Sequence, residues 1–166
     1  PFECSRIQMV WAEVPFSGNA MFVSIINNNI EQITLDRVVL EWYDSPSYPA
    51  MYARAFSLDN GTHWQGGVPS STPQTVIDTS VDGTFYDTAF RVVGGQNIGI
   101  WNAIFQNGPA NLSSAFLISD FEGDFFFTGP DAQACTISLV RPPRPTSEPT
   151  LTPTAGPSPT RTPDCA

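Results

Sequence analysis

Three cysteines, one histidine and no lysine stand among the 166 residues of this chain, and they set its chemical range. Without lysine there is no amine for a Schiff base, for a Lys–Asn isopeptide crosslink or for pilus-type transpeptidation. A single His63 rules out paired-histidine zinc sites, and the sequence has no HExxH stretch, no Gly-Lys-Ser/Thr phosphate loop and no Gly-x-Ser-x-Gly elbow. His63 lies between Thr62 and Trp64 behind a tight turn and reads as an ordinary strand residue. Acids are plentiful, but their spread fits surface solvation better than the paired carboxylates of a glycosidase. The expectation is a protein that is not an enzyme and carries no organic cofactor.

The cysteines are more informative. Cys4 precedes the first strand-like run and Cys135 lies in the last, so the two bracket the folded part. In an exported protein, a disulfide closing so long a loop stabilises by roughly 4–5 kcal/mol on the chain-entropy model. The alternative is three unrelated reduced thiols. A Cys4–Cys135 bond leaves Cys165 odd, to pair with a cysteine of a following repeat. The wording of the sequence suggests such a repeat: Pro163-Asp164-Cys165-Ala166 resembles the opening Pro1-Phe2-Glu3-Cys4-Ser5. Cys165 is therefore expected to begin a second copy.

Three further sets of residues are candidates for binding or modification. Asp120, Glu122 and Asp124 alternate across a glycine, with Asp131 beyond, and Asp78, Asp82 and Asp87 form a looser group. Hard oxygen donors on a loop suit calcium. Neither group follows the EF-hand order, and solvated acidic loops are the weightier reading. Tyr43, Tyr48 and Tyr52 flank a proline loop and offer flat rings for sugar stacking, whereas Trp42 and Trp101 sit in long strands and are expected in the core. Asn60-Gly61-Thr62 and Asn111-Leu112-Ser113 fit the N-glycosylation pattern, a match short enough to arise by chance.

The elements that would carry these residues divide the chain. Residues 141–164 (RPPRPTSEPTLTPTAGPSPTRTPD) hold half of the sixteen prolines, six threonines and almost nothing apolar to bury. Such a segment is expected to be an extended, polyproline-II-like spacer. Its alternating Thr and Pro is the composition of O-glycosylated stalks, making Thr146, Thr150, Thr152, Thr154, Thr160 and Thr162 candidate attachment sites. The domain division is 1–140 for the folded part, 141–164 for the linker and 165–166 for the start of a next repeat. Residues 1–140 carry four arginines against fourteen acids, a net charge of −10, while 141–164 carry three arginines against two acids. A body this acidic repels phosphate backbones, which argues against nucleic acid and anionic membranes as partners. No stretch is long and apolar enough for a membrane span.

Within 1–140, short β-rich runs recur between turn residues and helical periodicity is nearly absent. The runs are 6–11, 20–26, 33–43, 51–58, 62–64, 85–93, 98–105, 115–121, 125–128 and 134–139. Pro15 to Asn19 and Asn27 to Asn29 read as turns, Asp59-Asn60-Gly61 as a type I′ hairpin, and Phe121 to Phe125 as a second hairpin about Gly123. Nine or ten short strands argue for an all-β, antiparallel β-sandwich of Ig-like character, with the strand of Cys135 near the strand that follows Cys4.

The order Cys-Ser, a strand, Phe-Ser-Gly-Asn, a strand ending Ile-Asn-Asn-Asn, then ITLDRVVLEW resembles β-sandwich modules of large bacterial surface proteins. FSLDNGTHWQG at 56–66, a second cysteine far downstream and a Thr/Pro linker strengthen the resemblance. It implies an extracellular module strung in tandem in a surface stalk or filament, with neighbouring copies and covalent glycans as partners and no catalytic residues. The alternative is a carbohydrate-binding or adhesion module on a Thr/Pro stalk.

Overall fold

The computed structural model describes residues 1–67, 74–86 and 88–139. Within them the chain forms eleven strands and five short 3-10 turns. The strands are β1 (Ile7–Ser17), β2 (Ala20–Asn27), β3 (Ile33–Trp42), β4 (Tyr52–Leu58), β5 (Gly61–Gln65), β6 (Val76–Asp78), β7 (Thr84–Phe85), β8 (Val92–Val93), β9 (Asn97–Gln106), β10 (Phe121–Thr128) and β11 (Ala134–Leu139). They make two antiparallel sheets. One runs β1-β2-β9-β4-β5-β7; the other runs β11-β10-β3-β6, with β8 on the end of β3. The Pro/Thr linker and Cys165 lie outside the described residues.

Alternation builds the core. In β2, Met21, Val23 and Ile25 are fully buried, while Phe22, Ser24 and Ile26 between them face outward. Across the gap stand Val38, Leu40 and Trp42 of β3 and Phe121, Phe125 and Phe127 of β10. Trp101 of β9 is entirely buried and meets Phe125 edge-on at 4.8 Å, joining the two sheets.

Several expectations need correction. The run 33–43 reads as Ile33, Leu35 and Arg37 on one face, continued by Val39 and Glu41 only through a bulge, against Val38, Leu40 and Trp42 on the other. Yet Ile33 and Leu35 are buried together with Val38, Leu40 and Trp42. The β3–β10 register shifts where Arg37 faces Phe126 and Leu35 faces Phe127, so Asp36 bulges out and the following residues change sides. Residues 121–125 are not a hairpin. Gly123 lies inside β10, opposite Leu40 and Leu139, where a Cβ would come within 2.9 Å of the Val39 carbonyl oxygen. Glycine there marks a close approach of two backbones, not a turn. Residues 115–120 are a link (115–117) and a 3-10 turn (Ile118–Asp120) instead of a strand, and 85–93 is broken by a 3-10 turn at Thr88–Arg91. Pro15 and Phe16 belong to β1, an edge strand, where proline is tolerated; only Gly18 and Asn19 turn the chain into β2. The Asp59-Asn60 hairpin takes the φ > 0 pair of a type I′ turn, at 48° and 67°.

Candidate functional site: the two ends of the sandwich

The base of the sandwich is where the chain enters. Glu3 arrives in extended conformation, and Cys4 to Arg6 make one 3-10 turn before β1. Phe2 packs so closely under Gly129 that a Cβ there would fall 2.3 Å from its ring. Asn29 holds Glu3 on both sides: its Oδ1 accepts from the Glu3 amide at 2.9 Å, and its Nδ2 donates to the Glu3 carbonyl at 3.1 Å. Asn27 supports Asn29 by accepting from its amide, and donates its own Nδ2 to the carbonyls of Glu31 and Gly94. Both asparagines are fully buried. The sequence reading missed this network, because Asn-Asn-Asn after a strand signals a turn. The hint available was that three adjacent asparagines exceed what one turn needs.

Cys4 and Cys135 form a disulfide at this base, with Cα atoms 5.5 Å apart and a sequence separation of 131. It fixes the lead-in of β1 beside the start of β11. From there both strands run away from the base. β11 pairs antiparallel with β10, from Thr128↔Ala134 at the base to Gly123↔Leu139 higher up. The chain therefore comes in at one end and leaves travelling toward the other.

The candidate ligand groups do not assemble. Tyr52 is buried in β4 and its hydroxyl donates to Gln106 Oε1 at 2.7 Å, so it offers no free ring. The alternating pattern of 51–58 permits either register, but the segment is buried on both faces, Tyr52 with Met51, Ala53 and Ala55, and only Arg54 is exposed. Tyr48 is half-buried against the core; Tyr43 alone of the three is exposed. Asp120 is buried in a 3-10 turn with Oδ2 accepting from the Leu117 amide at 2.8 Å, while Asp124 Oδ1 accepts from Ser138 Oγ at 2.6 Å on β11. Glu122 and Asp124 point outward from a strand, not from a loop tip. Asp78 is engaged by a two-pronged Arg37 guanidinium and by Ser80, which hold its carboxyl well below the usual range; Asp82 Oδ2 accepts from the Asp78 amide. Asp87 lies outside the described residues. Among the described residues no three His, Cys, Asp or Glu side chains gather as a group able to hold a metal.

Asn60 and Asn111 are both exposed, the first in the type I′ turn and the second just before a 3-10 turn. The six candidate threonines of the linker lie outside the described residues. His63 is fully buried, accepts the Trp101 Nε1–H at Nε2 (3.1 Å), and has no hydrogen-bond partner for Nδ1 among the described residues. Burial first, and the Arg91 charge second, lower its pKa to about 4. On the outer face of the first sheet, Ile98 and Ile100 of β9 are exposed, and Ser24 of β2 separates Ile100 from the exposed Val10 of β1. No helix among the described residues is long and apolar enough to cross a membrane.

No protein-family model matches the chain, and no curated protein matches it.

Proposed function

We propose that the chain is a structural module of a secreted bacterial surface stalk or filament, repeated in tandem through its Pro/Thr linker. One observation carries this reading: the chain enters at the base of the sandwich and leaves along β11 toward the opposite end, so copies joined by a spacer would string end to end. A segment of 24 residues spans about 75 Å at roughly 3.1 Å per residue in polyproline II. The disulfide is in keeping with an oxidising, extracellular setting. The stalk composition of the linker supports glycans on some of its threonines.

Strand order supports an Ig-like sandwich. The series β1-β2-β9-β4 facing β11-β10-β3 reproduces the four- and three-stranded sheets of Ig constant-type domains. Two departures are specific to this chain. The connection from β4 to β9 is elaborated, adding β5 and β7 to one sheet and β6 and β8 to the other. The disulfide joins the lead-in turn to the last strand, instead of clamping the two sheets through their inner strands.

The alternative, a sugar-binding module, is weakened by the burial of Tyr52, which leaves no cluster of three free rings. Reading the gene beyond the codon for Ala166 tests the proposal. A further Cys-Ser, Phe-Ser-Gly-Asn and Ile-Asn-Asn-Asn series in that order is expected, and an unrelated continuation would overturn tandem repetition.

A further inference from the structure

The position of the disulfide has a mechanical consequence. Cys4 is the first residue of the 3-10 turn that leads into β1, and Cys135 is the second residue of the last strand. Ten of the eleven strands, β1 to β10, lie wholly inside the loop that this bond closes. We propose that the bond is a covalent bypass: tension and chain continuity run from the entry segment through the two sulfurs into β11 and the linker, around the sandwich and not through it. The role of such a bypass in a stalk rests on the function proposed above; the bypass itself is a property of a single copy.

Connectivity alone dictates the bypass. Pull the chain at its two ends with the bond intact, and the taut path is residues 1–4, the S–S link, then 135 onward. Residues 5–134 hang from that path as a closed loop. Their hydrogen bonds and core can break without lengthening it. Within the described residues the path has almost no slack to release. β11 is a strand, already near full extension, and the segment after it is rich in proline. A crosslink needed only for stability has many possible sites in a two-sheet fold, and most would leave part of the sandwich in line with the pull. Joining the entry to the last strand takes nearly all of it out.

Two properties follow for a string of such modules. Its length does not change when a module unfolds. A single backbone cut anywhere between residues 5 and 134 leaves the string in one piece.

Single-molecule stretching of the full chain tests the first property, with one handle at an N-terminal tag and the other on the Cys165 thiol. The readout is total contour length. With the bond intact it is about 13 nm, from 35 residues (1–4 and 135–165) at up to 3.6 Å each. After reduction by dithiothreitol, or in the Cys4→Ser/Cys135→Ser variant, it is about 59 nm, roughly fivefold longer. The comparison holds whether or not the variant refolds, because contour length does not depend on folding. Lengthening by tens of nanometres in molecules whose Cys4 and Cys135 are shown by thiol counting to be bonded would overturn the bypass. For the second property, protein nicked once between residues 5 and 134 should stay in one piece without reductant and separate into two fragments with it. Separation without reductant would equally overturn it. Neither result depends on whether the module is repeated, so a failure here is distinct from a failure of the tandem reading.

Discussion

At the scale of single residues, His63 shows how far its chemistry is set by its neighbours. Its Nε2 accepts from Trp101, so the ring is held neutral with its proton on Nδ1, and burial opposes a positive charge. The folded pKa of about 4 lies below the ordinary value of 6.5. Above pH 6.5 both folded and unfolded chains hold a neutral ring and His63 adds no pH dependence. Between 6.5 and 4 the unfolded chain binds the proton and the folded chain does not, so stability falls as pH is lowered. From pH 6.5 to 4.5 the loss is about 2–3 kcal/mol at 1.36 kcal/mol per unit. Asp78, with its carboxyl held low, contributes stability that persists above its ordinary range and is lost only as pH falls below it, so it does not mask this window. Urea midpoints at pH 6.5 and 4.5 should differ by that amount in the native chain and far less in His63→Gln, which keeps an acceptor for Trp101. An equal slope in both would mean that another group governs acid sensitivity. The neutrality of His63 in a core was only half legible in the sequence: its place in a strand was, its full burial was not, because Thr62-His63-Trp64 alternates too briefly to fix a register.

At the scale of elements, local patterns told most where a strand has one wet face and least where backbone meets backbone. β2 and β9 were legible as β-rich runs between turn residues, and burial alternates along both although apolar side chains occupy the outer face too. A bulge in β3 was legible as a possibility from its face pattern, but its place at Asp36 was not, since the pairing with β10 sets it. Gly123 misled for a similar reason: a glycine between acids signals a turn, whereas here it admits β3 against β10. The Asn27–Asn29 network is another non-local feature, tying the entry segment to the β2–β3 and β8–β9 connections. Those connections also touch directly, for a Cβ on Gly95 would lie 1.7 Å from the Ile30 carbonyl oxygen. Replacing Asn29 with alanine removes both bonds to Glu3 and the bond that Asn29 Nδ2 gives to Asn27 Oδ1, which keeps the Asn29 backbone amide as its donor. The expected loss is about 2–4 kcal/mol, at 1–3 kcal/mol for each buried polar group left unpaired. Amide exchange at Glu3 should accelerate with it. A change below 0.5 kcal/mol in the denaturation midpoint would show that water replaces the asparagine side chain without penalty.

At the scale of the whole molecule, the body must fold against its own charge. Four arginines face fourteen acids in residues 1–140, and two of the four, Arg37 and Arg91, lie over aromatic rings of Phe126 and Phe85 at 4.8 and 4.5 Å. The cysteines were read correctly as brackets because a bond across the whole fold can be seen from spacing alone; the direction of exit along β11 could not, since it depends on which strand pairs with which. That bond works mainly by removing freedom from the unfolded chain. For a separation of 131 residues the chain-entropy relation gives about 5 kcal/mol. The Cys4→Ala/Cys135→Ala variant should therefore lose about that much by denaturant unfolding, with the fold otherwise retained through β10–β11 pairing. Salt separates this entropic loss from the electrostatic one. Screening relieves self-repulsion in both chains, so added salt should raise both midpoints by similar amounts and leave the gap between them unchanged. A gap that closes with salt would mean that the bond chiefly restrains a charged body from expanding; a gap under 1 kcal/mol at any salt would mean that the unfolded chain already keeps its two ends together.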